Sequence, residues 1–390
     1  MDISEEQRRI KKSGIDKAFD PQHPISAELF CGRDNEVRSI IEAIMLKEGH
    51  AVIYGDRGVG KTSLSKYCGN HFAQNGKRVF YFPCSDGDTF SSIVTKLFSL
   101  LNITIEKTET TESGISVAYV FGILGKKTTK SSTRIEIDKA SGVAMALRSQ
   151  EGIIVIDEFD TLTNVEDKKK IAQLMKLLSD DSSKIQLLLV GISHDVNELL
   201  GGHASVVRSL TEVPIPRMSE YELHAIIQKG EDRTGLKFDN AVKDKIVKMS
   251  LGFPYYTHSL AFESAKNAVL DERTEITLDD LKVGTQEAIS KVDQSLKSQY
   301  KNSIGVNEPL LKKQLLYCAA IIGNQGSFTM TQWINTYKVI YKDDIKNVTI
   351  NSQMQQVINK GTCMLKSLRK GEYVFTNSLM PSYINILGKP

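Results

Sequence analysis

The sequence has no long apolar run and few cysteines. A membrane-spanning helix needs roughly 20 consecutive apolar residues, and the chain contains no such run. The N-terminus, residues 1–6, is polar and acidic and therefore unlike a secretory signal. These features predict a cytoplasmic protein that makes no use of a membrane. The cysteines have neither metal-ligand nor redox spacing and are interpreted as reduced, mostly structural thiols: Cys31, Cys68, Cys84, Cys318 and Cys363.

The composition is that of an ordinary globular protein, but its charge is unevenly distributed. The chain has 390 residues, of which 41% are hydrophobic and 25% charged, and this length predicts two or three domains. Residues 291–390 contain 13 Lys/Arg and 5 Asp/Glu, so they carry a net charge of +8 and the rest of the chain carries −5. A basic C-terminal region suggests an anionic partner. The alternative is a solvated basic surface with no specific partner.

A complete phosphate-binding loop follows a short apolar run. Residues 50–54 read as a buried strand and residues 63–68 as a helix. Glycines let the loop curl so that consecutive N–H groups point at phosphate oxygens, and the helix start adds its positive dipole end. Lys61 supplies charge for the β- and γ-phosphates, and Thr62 supplies a hydroxyl to Mg²⁺. The predicted ATP ligands in this segment are Gly55, Asp56, Arg57, Gly58, Val59, Gly60, Lys61, Thr62 and Ser63.

A second motif places acidic groups at the end of another strand. Residues 152–156 are apolar and β-branched, as expected for a central parallel strand that is covered on both faces. Asp157, at the end of this strand, matches the carboxylate that helps to hold Mg²⁺ in P-loop ATPases. Glu158 is then predicted to be the general base that activates the attacking water. We interpret Asp160 as a helix cap or first-turn charge rather than a ligand.

Strand and helix signals alternate through the first half of the chain. Strands are predicted at residues 51–54, 78–82, 153–156 and 186–190, which indicates an α/β fold with a parallel sheet. Residues 104–135 interrupt this pattern and are predicted to form a β-hairpin with a basic, polar tip. That tip would contact DNA or a neighbouring subunit, or it would be an idle loop.

The second half of the chain is mostly helical and ends in a winged-helix pattern. Residues 218–290 predict a small helical lid, with Ser219 as a helix cap and a break at residues 252–254. Helices are then predicted at 310–322, 331–341 and 351–360, and two strands flank residues 369–371. The predicted domains are an N-terminal arm (1–28), a P-loop core (29–217), a lid (218–295) and a winged-helix domain (296–390).

The winged helix offers candidate contacts for duplex DNA. In helix-turn-helix proteins the second helix of the motif enters the major groove, which here would be residues 351–360. Basic wing side chains would meet phosphates. The alternative is a winged helix that contacts protein. The predicted DNA-binding residues are Gln353, Gln356, Lys360, Lys366, Arg369 and Lys370.

In this order, the motifs resemble those of AAA+ relatives. Residues 30–36 are similar to the Gly-Arg-x-x-Glu entry motif shared by origin-recognition (Orc/Cdc-like) initiator ATPases and STAND ATPases, and they add Gly32 and Arg33 to the predicted ATP site. Residues 190–195 resemble the initiators' sensor segment, with His194 where Asn is expected and Ser193 as the other candidate. Residues 207–210 resemble the arginine-finger segment. The resemblance therefore implies that Arg208 reaches the nucleotide of a neighbour in a homo-oligomer.

The lid departs from the initiator pattern. No arginine occurs at residues 252–255, where initiators carry a sensor arginine. The Gly-x-Pro at 252–254 instead resembles STAND proteins, which implies that Pro254 lies against the adenine. Slow hydrolysis of ATP is expected as a result.

Three functions compete on these grounds. The first is an oligomeric ATP-dependent switch that engages DNA through its winged helix. The second is a STAND-type signalling or phage-defence ATPase, whose winged helix contacts protein and whose output comes from a separate effector protein. The third is a structural nucleotide-binding module with little turnover, which Glu158 argues against. The first function is our expectation, with ATP and Mg²⁺ as cofactors.

Overall fold

A computed structural model describes residues 3–21, 28–46, 49–108, 118–122, 135–181, 183–202, 210–305, 307, 309–355, 357–358 and 364–390. These residues form two compact units. The core unit contains residues 33–56 and 61–216, and the lid–wing unit contains residues 1–32, 57–60 and 217–390. Each unit is described by itself. Among the described residues, no helix combines the length and apolar character needed to cross a bilayer.

The elements are numbered along the chain. The helices are α1 (Ile3–Ser13), α2 (Ile15–Ala18), α3 (Asp34–Ile41), α4 (Lys61–Gln74), α5 (Phe90–Leu100), α6 (Ala140–Leu147), α7 (Val165–Asp180), α8 (Val196–Leu199), α9 (Glu220–Thr234), α10 (Asn240–Ser250), α11 (Pro254–Leu270), α12 (Leu278–Lys291), α13 (Gln294–Ile304), α14 (Leu310–Ile322), α15 (Met330–Tyr341), α16 (Asn347–Met354) and α17 (Met380–Leu387). The strands are β1 (His50–Gly55), β2 (Val79–Pro83), β3 (Thr104–Thr108), β4 (Ala118–Gly122), β5 (Ile135–Glu136), β6 (Glu151–Asp157), β7 (Lys184–Ile192), β8 (Leu210–Ile215), β9 (Lys237–Phe238), β10 (Glu275–Ile276), β11 (Phe328–Thr329), β12 (Leu365–Arg369) and β13 (Glu372–Phe375).

The core unit is built on a five-stranded parallel sheet in the order β2-β6-β7-β1-β8. Strand β6 lies between β2 and β7, and its apolar residues are buried, which explains its continuous β-branched sequence. Helices α5, α6 and α7 add apolar side chains to the same core. All four strands predicted from the sequence are present, so the predicted α/β parallel-sheet fold is confirmed.

The fifth strand, β8, is absent from the sequence prediction. It pairs only with β1 and is therefore an edge strand. Its sequence contains Pro214, and a proline argues against a strand unless the strand lies at an edge. An edge strand can accommodate proline because one row of its N–H groups has no partner in the sheet.

The predicted insertion contains a small antiparallel sheet in the order β3-β4-β5. Strands β4 and β5 pair antiparallel, and the basic segment 123–134 connects them. The hairpin prediction is therefore confirmed in its strands. The predicted basic tip lies outside the described residues.

The lid–wing unit begins with helices in the segment that was predicted as a polar arm. Ile15 and Phe19 are fully buried. A Cβ on Gly230 of α9 would lie 1.9 Å from the ring of Phe19, so this helix can accept the ring only where it carries glycine. The lid helices α9–α12 follow, and Ser219 and Glu222 form the capping box that starts α9.

The C-terminal part of this unit combines helices α14–α17 with the three-stranded sheet β11-β13-β12. Helices α14 and α15 agree with the predicted ranges, and β12 and β13 form the predicted hairpin. The sequence prediction was wrong about the third helix, which spans Asn347–Met354 rather than 351–360. Ile350 and Met354, four residues apart, supply its buried face. After Met354 the chain turns, and Ile358 forms a bridge with Leu365 at the start of β12.

Candidate functional site

The phosphate loop joins β1 to α4 in a conformation that requires glycine at two positions. Gly58 and Gly60 have φ angles of 82° and 95°, a region that side chains other than glycine rarely adopt. A Cβ on Gly58 would also lie 2.8 Å from Cδ2 of Leu379 and 3.6 Å from Cδ1 of Phe253. The loop is therefore curled as the motif predicts, and its apex leaves no room for a side chain.

Lys61 begins α4 and folds back over the loop. Its Nζ donates to the carbonyl oxygens of Gly55 at 3.0 Å and Asp56 at 2.7 Å. The ammonium group is thus held where the loop curls, and the first N–H groups of α4 lie beyond it without intrahelical partners. An anion that enters the loop meets both sources of positive charge.

Asp157 and Glu158 follow β6 at the carboxyl edge of the sheet. The Asp157 side chain is buried, with 4% of the residue exposed. Its Oδ1 accepts the N–H of Glu158 at 2.8 Å, and its Oδ2 accepts the hydroxyl of Tyr81. Burial raises the pKa of Tyr81, and the bond to Asp157 raises it further. No sequence pattern singles out Tyr81, because it lies 76 positions before Asp157 in the chain.

Glu158 has an exposed side chain and a strained backbone. Its φ of 54° and ψ of 33° are left-handed, a conformation that costs a residue with a Cβ roughly 1–2 kcal/mol. Thr161 stabilises the turn, because its N–H and hydroxyl donate to the Glu158 carbonyl oxygen at 3.0 Å and 2.8 Å. Backbone strain of this kind clusters at functional sites.

The sensor segment follows β7. In the sheet, β7 lies between β6, which leads to the Asp157–Glu158 turn, and β1, which leads to the phosphate loop. His194 is 88% exposed, and its Nδ1 lies 3.7 Å from Oδ1 of Asp56 in the phosphate loop. Ser193 instead donates to the carbonyl oxygen of Asp195 at 2.7 Å and to Oε2 of Glu198 at 3.1 Å. His194 therefore lies beside the phosphate loop, whereas the Ser193 hydroxyl is engaged at the start of α8.

Asp160 ties the acidic turn to the sensor strand. Its Oδ1 accepts the N–H of Ile192, the last residue of β7, at 2.7 Å. Asp160 also lies in the first turn of the short 3-10 helix Phe159–Thr161, which agrees with its interpretation as a helix cap or first-turn charge. Its partner Ile192, 32 positions further along the chain, was not predicted. The bond fixes the turn that carries Glu158 relative to the strand that leads to His194.

Arg33 and Gly32 differ in their surroundings. Arg33 is 5% exposed, and its Nη2 donates to the carbonyl oxygen of Pro216 at 2.5 Å. This bond ties the start of α3 to the end of β8 within the core unit. In the lid–wing unit, Gly32 has a φ of 71°, a conformation that favours glycine.

The loop apex also contacts the lid and the C-terminal region within the lid–wing unit. Pro254 begins α11, and its Cγ would lie 3.7 Å from a Cβ on Gly60. Arg57 forms an exposed ion pair with Asp293 at 3.6 Å. Leu379, which packs at Gly58, receives a hydrogen bond on its carbonyl oxygen from the Tyr256 hydroxyl at 3.2 Å. No sequence signal selected Leu379.

The structure describes only some of the residues that were predicted to contact DNA. Lys366 and Lys370 are exposed on the hairpin of β12 and β13. Arg369 is also exposed, and its Nε donates to Glu372. Gln353 lies on α16 and is half-buried. Gln356, Lys360 and the predicted arginine finger, Arg208, lie outside the described residues.

The donor set at the sheet edge fits magnesium. Thr62 and Asp157 provide oxygen donors, which hard divalent cations prefer. The part of the chain that the structure describes contains no cluster of three or more His, Cys, Asp or Glu side chains that could hold a metal ion. Magnesium suits such a site, because it is commonly held by one or two protein groups together with substrate phosphates.

The buried thiols behave as structural groups. Burial raises the pKa values of Cys68, Cys84 and Cys318 to about 12. Because the thiolate is the reactive form, these cysteines are inert at neutral pH.

Comparison with protein families identifies the core. Residues 45–200 match the model described as AAA domain. The matched segment contains the phosphate loop, the Asp157–Glu158 turn and the sensor segment. A comparison with curated proteins gave no match.

Solved structures resemble the fold over nearly the whole chain. Cdc6p from Pyrobaculum aerophilum has a TM-score of 0.52 at 13% identity, with 95% of this chain and 97% of that one covered. The Orc1 protein of Aeropyrum pernix, solved in complex with DNA, has a TM-score of 0.51 at 14% identity, with 95% of each chain covered. A Walker-type ATPase of Pyrococcus abyssi has a TM-score of 0.54 at 14% identity, with 94% and 99% covered. The predicted AAA+ core, helical lid and winged helix are therefore confirmed as a fold.

Proposed function

We propose that this chain is a magnesium-dependent, ATP-hydrolysing switch that forms homo-oligomers and engages duplex DNA through its winged helix. One observation carries the proposal. The phosphate loop, the Asp157–Glu158 turn and His194 follow β1, β6 and β7, which are neighbouring strands of one sheet. Because parallel strands end at the same edge, the groups that bind phosphate, metal and water share one site.

The loop residues bind and orient the triphosphate. Lys61 releases its two loop carbonyls and pairs with the β- and γ-phosphates, while the N–H groups of the loop and α4 donate to the remaining oxygens. Thr62 and Asp157 would hold magnesium, which would neutralise charge on the transferring phosphate. Gly58 and Gly60 permit the close approach of backbone to phosphate.

Glu158 and His194 act on the attacking water and the γ-phosphate. The exposed Glu158 carboxylate accepts a proton from water. His194, beside Asp56, donates a hydrogen bond to the γ-phosphate. Its role as sensor replaces the asparagine expected from the resemblance, and Ser193 supports it by holding the start of α8.

In the proposed oligomer, a neighbouring subunit supplies a further positive charge to the nucleotide site. Arg208 reaches the γ-phosphate of a neighbouring subunit, as the resemblance to initiators implies. Within one chain, Pro254 covers the adenine at the start of α11. The lid segment 252–255 contains no arginine, which supports slow turnover that suits a switch.

Two observations support DNA binding: the positive charge of the C-terminal region and a solved structure of similar fold. Residues 291–390 carry a net charge of +8, and Lys366, Arg369 and Lys370 are exposed on the wing. The Orc1 protein of similar fold was solved with DNA. The wing would contact phosphates, and Gln353, Gln356 and Lys360 would lie at the groove.

A specific contact favours a second candidate, a STAND-type signalling ATPase with a separate effector. Leu379 of the C-terminal region packs on Gly58 at the loop apex. In that function the winged helix contacts protein rather than DNA and senses whether the loop is occupied.

Duplex-DNA binding with and without ATP, measured across a salt series, tests the proposal. We expect ATP-dependent binding that weakens steeply as salt rises, because bound phosphates release counterions. Lys61→Ala should lose the ATP effect and keep the salt effect. Absent or salt-insensitive DNA binding, with ATP binding intact, would reject the DNA function in favour of the STAND-type candidate.

A further inference from the structure

A tyrosine hydroxyl holds one of the two residues that suit magnesium. The bond lies within the core unit, between β2 and β6. The parallel register pairs Tyr81 with Val155 and Pro83 with Asp157. Since side chains two residues apart lie on the same face of a strand, Tyr81 and Asp157 share one face. The tyrosine ring spans the distance to the carboxylate.

Both oxygens of the Asp157 carboxylate are engaged from inside the protein. Glu158 N–H donates to Oδ1 at 2.8 Å, and the Tyr81 hydroxyl donates to Oδ2. A carboxylate that is only 4% exposed requires such donors, because burial of an unpaired charge is costly. Each oxygen retains a further lone pair that a metal ion or a metal-bound water can use.

Ser65 in α4 makes a separate bond at the other candidate ligand. It is fully buried, and its hydroxyl donates to the carbonyl oxygen of Thr62 at 3.0 Å. This bond is made to the backbone of Thr62 and not to its side-chain hydroxyl.

The Tyr81 hydroxyl is suited to a permanent donor role. A phenol hydroxyl carries its proton at neutral pH and can therefore donate to the carboxylate. Lys66 also lies over the tyrosine ring, with Nζ 5.2 Å from the centroid, which restrains the ring from the α4 side.

We propose that Tyr81 is a positioning residue for magnesium, because its hydroxyl holds the Asp157 carboxylate in one orientation. It acts through Asp157 and is therefore not a catalytic residue. This inference rests on the proposed function, since it assumes that Thr62 and Asp157 hold the metal. Residues that orient metal ligands typically change metal affinity 10–100-fold when they are mutated.

Tyr81→Phe is the direct test, because it removes only the hydroxyl. The measurement is a Mg²⁺ titration of the full-length protein with a non-hydrolysable ATP analogue, alongside analogue binding in EDTA. We expect the apparent Mg²⁺ constant to weaken about tenfold. The affinity in EDTA should stay at the wild-type value, because the loop contacts are unchanged. A purely structural role of Tyr81 would lower stability without shifting the Mg²⁺ constant.

Tyr54→Phe is the matched control. Its hydroxyl also donates to a carboxylate, Glu212, at 3.3 Å from a strand of the same sheet. This variant should keep the wild-type Mg²⁺ constant.

The outcomes separate the inference from the proposed function. No binding of the analogue by the wild-type protein would reject the proposed function. Mg²⁺-dependent binding by the wild type, with the same Mg²⁺ constant in Tyr81→Phe, would reject the inference alone. If Tyr81→Phe does not fold, Tyr81→Met, which also lacks the hydroxyl, decides in its place, and a wild-type Mg²⁺ constant in that variant would likewise reject the inference.

Discussion

The carboxyl edge of the core sheet and the wing of the C-terminal domain both carry functional charge, but they hold it in opposite ways. Asp157 is 4% exposed and accepts hydrogen bonds on both oxygens. On the wing, the Arg369 side chain is 81% exposed and pairs with Glu372, and Lys366 and Lys370 are also exposed. A buried, hydrogen-bonded carboxylate is held in one geometry. Exposed charges instead act through the electrostatic field that they add to the protein surface.

This contrast predicts a ranking of effects. A change at the sheet edge should alter one step by a large factor, because each group there has one position and one role. A change on the wing should be graded, since neighbouring charges contribute independently and are screened by salt. The predictions below run from the largest expected effect to the smallest.

Glu158→Gln should show the largest effect. The amide is nearly isosteric but cannot accept the proton of water, so ATP hydrolysis should fall at least about 100-fold. ATP binding should persist, and both are measured by single-turnover hydrolysis and nucleotide titration. Glu151→Gln, at the exposed start of the same strand, is the control and should hydrolyse normally. Full turnover in Glu158→Gln would remove this residue from the mechanism.

Acid should destabilise the protein through a buried histidine of the sheet. His50 is buried, its Nδ1 accepts the Leu187 N–H at 2.9 Å, and burial lowers its pKa to about 4. The unfolded chain takes up this proton near pH 6.5, so it binds more protons than the folded state between pH 4 and 6.5. The contribution of His50 is therefore complete above pH 6.5 and lost as the pH falls to 4, about 3 kcal/mol in all.

Denaturant unfolding at pH 7, 5.5 and 4 measures this dependence. His50→Gln should reduce the pH dependence of the unfolding free energy by the contribution of this one histidine. A second buried histidine, His258 of the lid–wing unit, also has its pKa lowered to about 4 by burial, and it should account for a similar share. Replacement of the exposed wing lysines, Lys366 and Lys370, should leave the pH dependence unchanged. An unaltered slope in His50→Gln would contradict the assignment.

Lys61→Ala should weaken ATP binding about 100-fold, because it removes charge-assisted hydrogen bonds to the phosphates. Nucleotide titration by calorimetry measures the change. Lys77→Ala, an exposed site beyond the same helix, should bind as the wild type does. Unchanged affinity in Lys61→Ala would place the nucleotide elsewhere.

The wing should give the smallest and most graded response. Replacement of Lys366, Arg369 and Lys370 by alanine should weaken duplex binding about tenfold and reduce the log–log salt slope by about 0.9 for each lost contact. The loss should be nearly independent of DNA sequence. Replacement of Lys176, Lys245 and Lys282, exposed lysines elsewhere, controls for net charge. Equal losses in both triple variants would show that the wing has no special role.

The same contrast explains what the sequence alone could predict. The phosphate loop and the Asp157–Glu158 turn were predictable, because their chemistry requires particular residues next to one another in a strand–loop–helix context. The bonds Tyr81–Asp157 and Asp160–Ile192 join residues 76 and 32 positions apart. They depend on strand order and register, which local patterns do not specify.

Two fold errors have a similar origin. Strand β8 was overlooked because Pro214 is acceptable only at a sheet edge, and the edge is a property of the assembled sheet. The helix placed at 351–360 begins instead at Asn347. Apolar residues at 354, 357 and 358 suggested helical spacing, although Ile358 bridges to Leu365 at the start of the wing. The contact of Leu379 with Gly58 likewise had no sequence signal.

The left-handed backbone of Glu158 implies a trade between heat resistance and turnover. Glycine and asparagine adopt φ 54° readily, so Glu158→Gly or Glu158→Asn would relieve the turn while removing the proposed base. A selection for higher melting temperature would therefore enrich inactive variants at this position. Selection for turnover would retain a residue that lowers the thermal tolerance of the protein.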